Sequence, residues 1–165
     1  MGVLIRNGWE IYFHRQLFGG QRRQLRERVK QLKAELPEAD YLGHPNVKLL
    51  AAVMVGIKEK IAIDPLATQF ALTGSLRRYG RMKGMGLPNR YRLFFRAFSS
   101  EERQVLIVLW LGYPRKAGDK ADEIALRSPQ RAFHQARDCY EVFSKMVGNG
   151  DFPDNLQKLL IATNE

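Results

Sequence analysis

The sequence predicts an α+β domain: a small antiparallel β-sheet packed against N-terminal helices, with a C-terminal helix. Three observations carry this expectation. Runs rich in β-branched and aromatic residues at 9–14, 90–98 and 104–113 read as strands. Apolar residues recur at helical spacing across 25–36, 50–61 and 142–146. The later strands follow one another through tight turns after a helical pair, an order that favours antiparallel pairing with the helices on one face. At 165 residues, 45% of them hydrophobic, the chain reads as one domain with a core of its own.

Each element follows in turn. WEIYFH (9–14) alternates and forms the first strand. GGQ then opens a basic helix whose Leu25, Val29, Leu32 and Leu36 make one apolar stripe, and Pro37 ends it. Pro45 suits the first turn of a second helix, with Leu50, Val53, Met54, Ile57 and Ile61 on its buried face. DPLATQFAL (64–72) is a connector of about one helical turn. TGSLRRYGRMKGMGLPN (73–89) is glycine-rich and basic, with a short strand around Tyr79 to Lys83. RYRLFFRAF (90–98) is a strand and SSEER a turn. QVLIVLWLGY (104–113) is almost continuously apolar, as in a strand buried on both faces. DCYEVFSKMV (138–147) is a helix with Val142, Phe143 and Met146 inward; GNG stops it, and a short helix from Asp154 closes the chain.

Charge points to the partner. The net charge is +10, which favours an anionic partner. Between Arg77 and Lys116 ten basic residues face two acidic ones, Glu101 and Glu102, so +8 of that charge lies in one quarter of the chain. A concentration of this kind marks a site; a dispersed excess would serve solubility. The single cysteine, Cys139, permits no internal disulfide and fits a reducing compartment. LLAAVMVGI (49–57) is too short to span a bilayer, and the first residues carry acid and base too early for a signal peptide. A soluble cytoplasmic protein is expected.

Several chemistries are excluded. His14, His44 and His134 lie far apart, and one cysteine builds no zinc framework. The acidic residues of the basic quarter are turn residues, not paired carboxylates for magnesium. GRMKGMG lacks the arrangement of a phosphate-binding loop. No metal and no cofactor is expected, and Cys139 reads as a half-buried helix residue, not a nucleophile.

Residues of equal parity share one face of a strand. Arg90, Arg92, Phe94 and Arg96 therefore lie on one side of their strand, with Tyr91, Leu93 and Phe95 turned to the helices. The preceding strand adds Arg81 and Lys83. Together these would make a phosphate-tracking surface with Phe94 as a stacking element. Binding alone would satisfy such a surface. Cleaving RNA needs little more, because the substrate carries its own nucleophile, the 2′-OH. The enzyme must hold the reacting atoms in line, neutralise charge on the phosphorane and move protons. Arginine suits the second task, since its fork matches two phosphate oxygens; a lysine or tyrosine in a positive field suits the third. Composition alone ranks binding ahead of cleavage.

RNGWEIYFH near the start, R-x-K followed by RYRLFFR in the middle and DCYEVFSKMVGNGDFPD near the end resemble the YhaV family of toxins, within the RelE-like group of toxin–antitoxin systems. The likeness runs from about residue 7 to 155. It implies a single RelE-like domain over 1–165 and a metal-independent endoribonuclease that cleaves mRNA through the 2′-OH, often on the ribosome. It also implies an antitoxin of swapped-hairpin DNA-binding type, with operator DNA contacted only through the complex. On the matching positions, Arg81 is assigned to gripping phosphate, Lys83 to proton transfer, Arg92 to transition-state charge and Tyr140 to acid–base work. Arg77, Arg78, Arg90, Arg96 and Lys116 are expected to bind RNA, Arg90 and Arg96 by tracking the backbone or pairing with a carboxylate. The family also places a basic residue after the last strand. Arg115 fills that part if 121–137 is an insertion, and Arg131 fills it if the extra residues come earlier; Arg115 stands at the strand end, where geometry is fixed. Two rival readings are a non-catalytic RNA- or ribosome-binding domain and a degenerate toxin that serves only as its antitoxin's partner.

Overall fold

The computed structural model describes residues 3–112 and 138–164. The chain opens with a hairpin, β1 (Leu4–Arg6) and β2 (Trp9–His14), paired antiparallel. Its turn is Asn7–Gly8, both at positive φ (51° and 81°), the backbone that a two-residue hairpin needs and that Asn-Gly adopts readily. The Asn7 side-chain amide donates to the Ile63 carbonyl at 2.7 Å, tying the hairpin tip to the helical layer.

Three helices follow: α1 (Phe18–Glu35), α2 (Glu38–Gly43) and α3 (Pro45–Val55). The last continues as a wider π-type turn over Gly56–Ile61, which keeps Ile57 and Ile61 facing the core. Two 3-10 turns, Thr68–Phe70 and Gly74–Leu76, lead into β3 (Gly80–Met82). Then come β4 (Arg92–Ser99), β5 (Gln104–Gly112), α4 (Cys139–Gly148), α5 (Leu156–Ile161) and β6 (Thr163–Asn164).

The sheet order is β1-β2-β5-β4-β3, with β6 also paired to β2. The α+β class stands, with two corrections. First, the sheet is mixed: β3–β4–β5 is antiparallel as expected, but β2 and β5 run parallel, with Ile11 opposite Leu106 and Phe13 opposite Val108. The long path between them, through all three helices, supplies the crossover that parallel neighbours require. Second, helices cover both faces. One face carries Leu93, Phe95, Leu106, Val108 and Leu111 against Phe18, Leu25, Leu49, Val53 and Ile57 of the N-terminal helices. The other carries Phe94, Ile107, Leu109 and Trp110 against Phe143 and Met146 of α4, Phe152, and Leu159 of α5. The apolar run of β5 is thus buried on both sides.

A bulge reconciles the two cores. Phe94 faces Trp110, but Phe95 faces Val108, so Leu109 is an extra residue in β5. Leu109 and Trp110 consequently lie in the same core, and the alternation resumes in the opposite phase at Leu111. Beyond the end of β2, the backbone of Leu111 finds its partner in a side chain. The buried Gln21 amide donates to the Leu111 carbonyl and accepts from its N–H, both at 2.8 Å, locking α1 to β5.

Candidate active site

β3 and β4 bring the first two candidate residues side by side. Arg81 is paired with Phe94, and Arg92 with Gly112, the last described residue of β5. Since Arg92, Phe94 and Arg81 project on the α4 side, the two arginines flank the Phe94 ring. That ring is no stacking surface for a base, as alternation alone would allow: it is 0% exposed. Phe143 stacks on it at 4.2 Å between centroids and Trp110 at 5.8 Å. The reason is α4, which brings Phe143 down onto the face that the isolated strand would leave open.

Tyr140, one turn N-terminal to Phe143 on α4, is held at this place. Its ring meets the edge of Phe94 at 5.6 Å. The Arg81 and Arg92 guanidinium carbons stand 5.9 and 6.0 Å from its centroid. Arg92 Nε donates to Tyr140 Oη at 3.1 Å, and Arg92 Nη1 donates to the Tyr91 carbonyl at 2.8 Å. The guanidinium is therefore fixed from two sides, with further donors unused among the described residues. Arg81 Nε is buried with no hydrogen-bond partner among the described residues.

Two sequence signals hold α4 in place. Asp138 caps it, its side chain accepting from the Glu141 N–H at 3.0 Å. Gly112 lets it come close: a Cβ there would stand 2.7 Å from Cys139 Cβ. Cys139 itself is half-buried; burial pushes its thiol up to about 11 against the opposing fields of Arg92 and Arg81. It is a neutral thiol at pH 7, as a packing residue should be.

The remaining candidates are spread more widely. Lys83 lies just beyond β3 and is exposed. Arg90 is not part of the strand: it precedes β4 with φ of 69°. Arg96 stands on β4 on the same face as Arg92 and pairs with Asp154 at 3.0 Å. Arg78 pairs with the same carboxylate, and the exposed Arg77 donates back to the Gly74 carbonyl. Arg115, Lys116, Arg131 and the whole 121–137 segment lie outside the described residues. Among the described residues, no three His, Cys, Asp or Glu side chains gather as metal ligands. No helix among them is long and apolar enough to cross a membrane.

Sequence reasoning missed Asp154 as the shared partner of Arg78 and Arg96, and missed Arg103, whose guanidinium grips Glu10 with two hydrogen bonds of 3.0 and 2.8 Å. Nothing in local spacing ties residue 154 to 78 or 10 to 103. The hairpin turn at Asn7–Gly8 was missed as well, although Asn-Gly between LIR and WEI is a hairpin signal.

A family model described as a toxin with endonuclease activity, of a toxin–antitoxin system, matches residues 12–128, which include Arg81 and Arg92. The chain is 34% identical to toxin YhaV of Escherichia coli O6:H1 and to ribonuclease toxin YhaV of Escherichia coli K12; each alignment covers 96% of this chain and 94% of the relative. No solved structure matches the chain significantly. With more than half the chain matched by the family model and nearly all of it aligned to these relatives, the chain belongs to the YhaV family of toxins with endonuclease activity, of toxin–antitoxin systems.

Proposed function

We propose that the protein is an endoribonuclease that cleaves mRNA without a metal, by attack of the substrate's own 2′-oxygen on the adjacent phosphorus. The observation that carries this is the convergence of Arg81 and Arg92 on Tyr140, with Arg92 Nε on Tyr140 Oη at 3.1 Å. Two guanidinium groups from neighbouring strands can meet the non-bridging oxygens as charge grows on the phosphorane. Tyr140 Oη already accepts a hydrogen bond, so its own proton points elsewhere and is available to the departing 5′-oxygen. Lys83, entering as the free amine, is assigned to accept the proton that the attacking 2′-OH gives up. The bond from phosphorus to the 5′-oxygen breaks as that to the 2′-oxygen forms, leaving a 2′,3′-cyclic phosphate and a 5′-OH.

Family membership supports a cognate antitoxin as partner. We assign it to the swapped-hairpin DNA-binding type, with operator DNA reached only through the complex, and the toxin to the cytoplasm, acting on mRNA at the ribosome. Arg115, three residues beyond Gly112 in sequence, is the proposed basic residue at the strand end.

The test is cleavage of purified RNA in EDTA, alone and with ribosomes, followed by end analysis. The expected result is 2′,3′-cyclic phosphate ends from the wild type and none from Arg92→Ala, whose melting curve stays cooperative. Intact RNA in both settings would leave the binding-only reading in its place.

A further inference from the structure

Asp154, in the loop between α4 and α5, reaches two arginines from separate parts of the chain. One carboxylate oxygen accepts from Arg78 Nη1 and the other from Arg96 Nη1. Arg96 is preset: its guanidinium lies 4.4 Å over the Phe98 ring and 5.7 Å from that of Tyr79, and its side chain is 12% exposed. Its partners stand in water, with 54% of the Arg78 side chain exposed and 62% of that of Asp154. Solvent-exposed ion pairs of this kind exchange readily. The arrangement of two guanidinium groups on two oxygens of one anion is also how arginines take a phosphodiester. Arg96 shares the face of β4 that carries Arg92, four residues away, which is about 13 Å along the strand.

We propose that Arg78 and Arg96 form a second phosphodiester subsite on the path of the RNA, away from the scissile group, and that Asp154 fills it in the free protein as a stand-in for phosphate. The inference rests on the ribonuclease reading above. Incoming RNA takes over one N–H from each arginine, and the exposed carboxylate turns into solvent. In the free protein the subsite carries one net positive charge where two arginines alone would carry two, so Asp154 weakens capture of RNA at this point and sets how much of the substrate must bind before the subsite opens.

The experiment measures affinity for a 2′-O-methyl oligoribonucleotide, which binds but has no free nucleophile, across a salt series. Asp154→Asn is expected to bind several-fold more tightly than wild type, with a salt slope steeper by about 0.7, the value for one more uncompensated positive charge meeting a single strand. Arg78→Gln in the Asp154→Asn background returns both to wild-type values, and Asp154→Glu, which keeps the charge, behaves as wild type. Glu101→Gln makes the same charge change in the β4–β5 turn and gives no such gain. An equal gain from Glu101→Gln overturns the proposal, since bulk charge then explains it. Weaker binding by Asp154→Asn, with or without a lowered melting temperature, also overturns it and leaves Asp154 as a structural clamp. Equal binding by wild type and Asp154→Asn removes this inference alone. No binding by either protein removes the ribonuclease reading with it.

Discussion

Arg92 spends one N–H on the hydroxyl of Tyr140 and another on the carbonyl of Tyr91, so its pose is set before any substrate arrives. Such preorganisation is what lets a fixed charge stabilise a transition state without a reorganisation cost. Tyr140→Phe keeps the ring against Phe94 and the two guanidinium groups but removes the hydroxyl. Cleavage is expected to fall about 100-fold or more, while stability changes by about 1 kcal/mol; parallel rate and melting measurements check this, and an unchanged rate would remove Tyr140 as proton donor. Strand parity placed Arg92 and Phe94 on one face correctly. It left open whether that face meets water, because α4 lies far along the chain and alternation reports only which residues share a side.

At the scale of elements, the site depends on how closely α4 meets the end of β5. Gly112 permits that approach, with Cys139 Cβ only 2.7 Å from where its own Cβ would be. Gly112→Ala must push α4 outward. It is expected to cost about 1–3 kcal/mol and to lower cleavage beyond what the fraction unfolded explains, as Tyr140 moves away from Arg92; denaturant titration beside kinetics separates the two. Asp138→Ala removes the helix cap and is expected to cost about 1 kcal/mol, read by the same titration. Periodicity located the long helices and the strands of the second half to within a few residues. It missed α2, whose six residues are too few to show a period, and β1, whose three residues are defined by the turn that follows them.

For the whole molecule, acid is the weak direction. His14, 4% exposed, accepts from the Leu17 N–H through Nδ1 and packs edge-on against Phe152. Burial holds its imidazole below the ordinary range, opposed by its contact with Asp151. The unfolded chain takes up this proton first, so stability is expected to be level above about pH 7 and to fall as pH drops below about 6.5. The slope approaches about 1.4 kcal/mol per pH unit until the folded-state imidazole also titrates. Further down, Glu10 is held below the carboxylate range by the Arg103 hydrogen bond, and Asp154 by that of Arg78, so their contributions are lost only as pH falls through their own lower values. Denaturant titrations between pH 5 and pH 8 on wild type and His14→Gln test this; an equal slope in both would assign the loss elsewhere.

By itself the sequence determined the α+β class, the strands and long helices, the gathering of positive charge in one quarter of the chain, and the motifs that mark the family. These are local or compositional properties, carried by periods of 2 and 3.6 and by counts. Only the tertiary structure decided that the sheet is mixed, that its arginine-bearing face is roofed by α4, and that Arg81, Arg92 and Tyr140 meet while Arg78 and Arg96 share Asp154. Each of these joins residues tens of positions apart, and no local pattern records which distant side chain will fill the space across from a given one. That is settled when two cores pack against one sheet at once.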